Sequence, residues 1–159
     1  MRKLIYSFML AAACILFASC GEKEHTFSGT YVFADAELDI RATANSAERQ
    51  AIVDEIINTD KTEGLEAVRE EFDGATITVD GINNTATMQV LDYESDECSF
   101  IQKNGKCTMT TLEDPFTMTG TISKSELKLT YDSTDDMMGY FGKDVTLEKY
   151  EYTLTFVKK

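Results

Sequence analysis

From Ala75 to the C-terminus, apolar and polar residues alternate along the chain. Ile77 and Val79 alternate with Thr76 and Thr78, and Ala86, Met88 and Val90 with Thr85, Thr87 and Gln89. Phe116, Met118 and Ile122 alternate with Thr117, Thr119 and Thr121, and Leu127, Leu129 and Tyr131 with Glu126, Lys128 and Thr130. A last run over 146–157 carries Tyr152, Leu154 and Phe156 on one side. A period of two predicts strands that each bury one face. Asp80-Gly81, Asn83-Asn84, Asn104-Gly105 and Lys124-Ser125 supply the turns between them. The stretch Phe27 to Phe33, rich in aromatic and β-branched residues, predicts an opening strand continuing to about Arg41.

Between that strand and Ala75 the period lengthens. Asn45 or Ser46 can cap a helix whose stripe is Ile52 and Ile56 with Val53 and Ile57. A second helix is marked by Leu65, Val68 and Phe72 and ends at Asp73-Gly74, where glycine can take the left-handed cap. The expected chain is therefore a strand, a helix pair and about seven further strands. Successive antiparallel strands with one greasy face cover that face, and lose their edges, by closing. The expected fold is mainly β: one antiparallel meander β-barrel of about eight strands spanning 27–159, with the helix pair between strands 1 and 2. That strand number suits an interior holding side chains or one small ligand.

The N-terminus has a different order. Arg2 and Lys3 precede the apolar run Leu4 to Phe17, and the small Ala18 and Ser19 precede Cys20. Charge, greasy stretch and small residues in that order predict a secretory signal over 1–19. The apolar run is about fourteen residues, short of the roughly twenty needed to span a bilayer as a helix. Leu16-Phe17-Ala18-Ser19-Cys20 resembles the lipobox of bacterial lipoproteins. The resemblance implies diacylglycerol on the Cys20 thiol, cleavage before it and acylation of the new amine. Two or three acyl chains anchor stably, so the membrane is the expected partner through acylated Cys20 and 20–26 is a lipidated tether. Gly21-Glu22-Lys23-Glu24 lacks an Asp directly after the cysteine and looks like the surface-export signals of Bacteroidetes lipoproteins. The implied address is the cell envelope, at the outer membrane, with the periplasmic and the cell-surface face as the two alternatives.

The chain has 28 Asp and Glu against 15 Lys and Arg, a formal charge of -13; losing Arg2 and Lys3 with the signal makes it -15. Such acidity argues against nucleic acid, which is held by clustered cations, and against docking on anionic lipid head groups. Setting aside Cys14 and Cys20 leaves Cys98 and Cys107. In an oxidising compartment these are expected to form a disulfide, making 94–106 a stapled loop. They lack further Cys or His neighbours for zinc and the Cys-x-x-Cys spacing of a redox pair.

No catalytic machinery assembles from the motifs. The single histidine, His25, lies in the tether and cannot be held beside a nucleophile. Asp92 and Glu94 form a carboxylate pair of the kind glycosidases use, but among 28 acidic residues such pairs arise by chance. Asp132, Asp135 and Asp136 offer carboxylate oxygens without the spacing of a calcium loop, and read as a solvated turn. Asp132-Ser133-Thr134 resembles a short O-glycosylation motif of Bacteroidetes. The expectation is a protein that is not an enzyme and needs no metal or cofactor.

With strand, helix pair and meander assembled, the chain resembles the calycins, and most the lipocalin-like lipoproteins of gut Bacteroidetes. Gly29-Thr30-Tyr31 stands where lipocalins carry Gly-x-Trp at the start of their first strand. The helix pair is similar to the lid of fatty-acid-binding proteins. The chain departs from the lipocalin pattern in having no tryptophan and no arginine on the final strand to pack over one. The resemblance implies binding of an apolar small molecule, such as a fatty acid or bile-type compound. Interior candidates are Met88, Phe116, Met118, Leu129, Tyr131, Leu154 and Phe156. The same residues can fill an ordinary core, in which case the chain is a non-catalytic interaction or accessory surface protein with a filled barrel.

Overall fold

The computed structural model describes residues 26–90, 95–112 and 116–159. Eight antiparallel strands close into one barrel in sequence order. They are β1 (Gly29–Ala44), β2 (Thr76–Asp80), β3 (Thr85–Gln89), β4 (Asp96–Lys103), β5 (Lys106–Thr111), β6 (Thr117–Ile122), β7 (Glu126–Asp132) and β8 (Val145–Lys158). The runs of alternating residues named above fall on strands with their apolar side inward, Val90 and Phe116 lying just outside β3 and β6. Ile77, Val79, Ala86, Met88, Met118, Leu127, Leu129, Leu154 and Phe156 all lie inside.

Two bulges explain where the alternation in β1 and β8 changes phase. Between Phe33 and Asp35 one extra residue, Ala34, is inserted against β8. The inward positions then shift to Ala36, Leu38 and Ile40. A second irregularity beside Arg41 does the same for β8, so that Leu147 and Tyr150 both point inward. A bulge adds one unpaired residue and so reverses which face the following side chains occupy.

The barrel has two unlike ends. One is closed by the tight β2–β3, β4–β5 and β6–β7 connections and by the two ends of the described chain, Thr26–Phe27 and Lys158–Lys159. At the other, the mouth, the helical segment crosses from β1 to β2.

The expected helix pair is one helical segment. α1 (Ala47–Thr59) runs through a π-turn (Asp60–Gly64) into α2 (Leu65–Glu71) without a break. Ser46 caps α1 by accepting from the Arg49 N–H. Val53 of α1 and Leu65 of α2 are its buried residues. Leu65 follows the π-turn, which sets the facing of the second half.

The expected Cys98–Cys107 disulfide is not formed, and 94–106 is no stapled loop. Asn104 and Gly105 both have positive φ, 52° and 74°, the two-residue hairpin in which both central residues are left-handed. That turn sets Lys103 opposite Lys106 and Gln102 opposite Cys107, and places Cys98 opposite Thr111. Four ladder positions separate the two cysteines, roughly 13 Å along the strands at about 3.3 Å each. A disulfide requires Cα atoms within about 7 Å. Both thiols are free and buried, and burial pushes each up to about 11.

The acidic stretch after β7 is a helix and not a solvated turn. α3 (Thr134–Phe141) opens with Asp135 and Asp136 in its first turn, where the helix dipole favours carboxylates. Phe141 at its far end is fully buried against Tyr150, ring centroids 6.3 Å apart.

Candidate functional site

The mouth of the barrel holds a pocket of about 130 Å³ whose wall is apolar throughout. Its floor and sides are Met88 of β3, Met118 of β6, Tyr131 of β7, and Tyr152 and Leu154 of β8, with Phe116 just before β6; Val68 and Phe72 cover it from the helical segment. All the strand positions are inward-facing members of the alternating runs, so a period of two on four separate strands converges on one space.

Five of the seven interior candidates, Met88, Phe116, Met118, Tyr131 and Leu154, therefore meet at one site. Leu129 and Phe156 do not. Both are fully buried: Leu129 stands directly opposite Leu154 but off the wall, and Phe156 lies one inward position deeper on β8, opposite Leu127. Together with Phe100, Met109 and Ile77 they fill the lower barrel as solid core. Tyr152 is the lining residue missing from the candidates, although it shares the Leu154 and Phe156 side of β8.

The lid is fastened by named contacts. The Arg69 Nε donates to the Asp35 carboxylate at 2.8 Å and its Nη2 to the Ala36 carbonyl at 3.0 Å, tying α2 to the bulged part of β1. The Ala36 N–H and then Arg69 hold the Asp35 carboxyl below its ordinary range. Phe72 packs on Phe33 at 5.8 Å, and Phe33 stands edge-on to Phe156 at 5.7 Å, so the lid rests on an aromatic column rising from the core. Across the mouth, Phe116 meets Tyr131 edge-on at 5.7 Å.

Behind this wall lies a polar chain. The Tyr150 hydroxyl donates to Asp60 Oδ2 at 3.1 Å and lies 3.3 Å from the Tyr152 hydroxyl. Burial, then the bond to Tyr152, raises the Tyr150 phenol, so it remains a neutral donor. Asp60 belongs to the π-turn, and this bond ties the helical segment to β8.

Chemically, the arrangement can hold a hydrocarbon group. Among the described residues no carboxylate, thiol or amine reaches the pocket wall, and no group of three His, Cys, Asp or Glu could hold a metal. Ser133 is buried and donates to the Tyr150 carbonyl, while the Thr134 hydroxyl accepts from the Tyr150 N–H. The Asp132-Ser133-Thr134 motif is thus built into the α3 junction. Asp92, Glu94, His25, Cys20 and the segment 1–19 lie outside the described residues. No helix among the described residues is long and apolar enough to cross a membrane.

Comparison with protein-family models, curated proteins and solved structures finds no match. The first and last strands, β1 and β8, close the meander side by side. Tyr31, standing where the motif has tryptophan, is fully buried and donates to the Ser123 carbonyl at 2.9 Å, and Lys158 of the final strand sits 5.8 Å over its ring.

Proposed function

We propose that this chain is an envelope lipoprotein, anchored through acylated Cys20, whose barrel mouth binds a small hydrophobic group and performs no catalysis. The observation that supports binding is the apolar pocket under a lid, drawn from four strands and one helix. Its volume, about 130 Å³, is near that of an engineered cavity known to stay dry and take benzene, about 150 Å³. It is well below the roughly 300 to 1,000 Å³ of sites that enclose a drug-sized ligand. The ligand is then a single ring, a short branched hydrocarbon or the end of a longer chain, and not an entire fatty acid or bile-type molecule enclosed in the barrel.

Titration of the isotope-labelled protein with benzene and indole tests this. Shifts confined to the Met88 and Met118 methyl signals, saturating with ligand, are expected. Unchanged methyl spectra at ligand saturation would remove the reading. A second reading, an accessory protein with a filled barrel, is favoured by the solid lower core of Phe100, Leu127, Leu129 and Phe156; unchanged methyl spectra would leave it standing. The anchor has its own test: metabolic labelling with an alkynyl palmitate should mark the chain and should not mark the Cys20→Ala variant.

A further inference from the structure

The chain's acidity is not shared by its closed end. Lys103 and Lys106 flank the β4–β5 turn, Lys124 lies in the β6–β7 turn, and Lys158 and Lys159 finish β8. All five are exposed. Lys158 already donates its Nζ to the Ser28 carbonyl and Lys103 has a partner of its own, so the basic surface rests on Lys106, Lys124 and Lys159. Backbone bonds draw their elements together. The Ile122 N–H reaches the Gly105 carbonyl and the Lys158 N–H the Ser125 carbonyl. Against them the same end carries two side-chain carboxylates among the described residues, Asp80 and Glu126. Each is engaged: Glu126 lies 3.7 Å from Lys128, and Asp80 accepts from Ile82 and Asn83 within its own turn. Adding Lys128, the α-carboxylate of Lys159, and Glu22, Lys23 and Glu24, which precede this end in the chain, leaves seven lysines to five carboxylates. The other charged residues, mostly acidic, lie elsewhere.

Two further observations concern the same end. Ile82, at the tip of the β2–β3 turn, is 84% exposed, and Ile101 on β4 is 63% exposed. The N-terminal strand is also fixed there: the Phe27 N–H and carbonyl both bond the Gln102 side chain at 2.8 Å, and the Gly81 N–H bonds the Ser28 hydroxyl. A segment anchored at Cys20 would enter beside Ile82.

We infer that the closed end of the barrel is a second membrane contact: its lysines seat on anionic lipid head groups, with Ile82 entering the interface. Apolar side chains among cations are what an interfacial surface requires. Net charge counted over the whole chain, which argued against such docking, hides this segregation. The surface leaves the mouth turned away from the bilayer, whatever the pocket binds.

Cosedimentation of the full chain with vesicles tests the inference, using phosphatidylcholine alone and phosphatidylcholine with phosphatidylglycerol. The segment 1–19, with Arg2 and Lys3 beside its apolar run, is common to the parent and every variant, so the readout is the change that a variant makes in the ratio of the two partition coefficients. A lysine near an anionic surface multiplies partition about fivefold. The Lys106→Gln, Lys124→Gln, Lys159→Gln triple variant should therefore lower the ratio by roughly 100-fold at low salt, with an unchanged melting transition. High salt should reduce the wild-type ratio toward one. Lys61→Gln with Lys143→Gln, exposed at the mouth end, should leave it unaltered. Equal partition to both compositions, or a preference that the triple variant retains, overturns the proposal. So does equal partition combined with lysine-dependent retention on heparin, which would place an acidic macromolecule there instead.

Discussion

Replacing Leu154 by alanine probes both the barrel register and the pocket. Leu154 pairs with Leu129 on β7 and Ala36 on β1, is 5% exposed and forms part of the pocket wall. The substitution removes three carbons from a buried site, a transfer loss of about 2.4 kcal/mol at about 0.8 kcal/mol each. Strands bonded on both sides cannot collapse into the space, so a cavity penalty adds to this, and Leu→Ala changes in cores span about 2 to 5 kcal/mol. One flank already opens on the pocket, which places the expected cost near 3 kcal/mol, in the lower half of that range. Urea unfolding followed by circular dichroism measures it, and thermal melting should drop by roughly 10 °C. Ile101→Ala, an outward residue, should stay within about 0.5 kcal/mol of the parent. A Leu154→Ala cost below about 1 kcal/mol, or one equal to that of Ile101→Ala, would refute the inward register of β8 and the pocket with it.

Three other perturbations have definite outcomes. Val68→Phe should fill the mouth, since an empty 130 Å³ represents about 3 kcal/mol of unrealised packing at about 24 cal/mol per Å³; calorimetry should show a gain of about 1 kcal/mol in stability and no heat of benzene binding. Cys98 and Cys107, with thiols pushed up to about 11, should resist a thiol reagent at pH 8 in the native chain and react in urea without reductant. Their contribution to stability is complete below the ordinary thiol value and is lost as pH rises from there through 11. Arg69→Ala should speed hydrogen exchange across α2 while the barrel strands stay protected. Acid should act alike, because the Asp35 carboxyl is held below its ordinary 3.8: the clamp's contribution is present above that pH and fades as pH falls below it.

The barrel was legible because strand burial leaves a period-two trace: β2, β3, β6, β7 and β8 each sit where an alternating run was read, whereas β4 falls in 94–106, read as a stapled loop, and β5 was marked only by the Asn104-Gly105 turn before it. What failed were the places where two signals competed. The Asn104-Gly105 turn demanded one register and the expected disulfide another; the turn sets the register, because local backbone geometry fixes it before any distant thiol can pair. At α3 the aspartates of the first turn masked the Met137 and Phe141 spacing of four. The helix pair was read from two apolar stripes, one ending at Ile57 and one opening at Leu65, and the π-turn Asp60–Gly64 carries the chain between them without a break. The site was half legible. Alternation shows which side chains point inward, as it did for Met88, Met118 and Leu154, but not how deep they lie along the axis. Phe156 fell below the pocket for that reason, Leu129 packs off the wall although it stands opposite Leu154, and the lining role of Tyr152 became visible only with depth.

The π-turn makes the lid a component whose length is fixed to the residue. Successive residues of a helix are about 100° apart around its axis. Deleting one residue between Asp60 and Gly64 would let α1 and α2 join as a regular helix and leave every propensity satisfied. It would also swing Val68 and Phe72 about a quarter turn from the mouth and carry Asp60 off Tyr150. Substitutions along this segment would be absorbed locally, whereas a single-codon loss there would uncap the vessel without unfolding it.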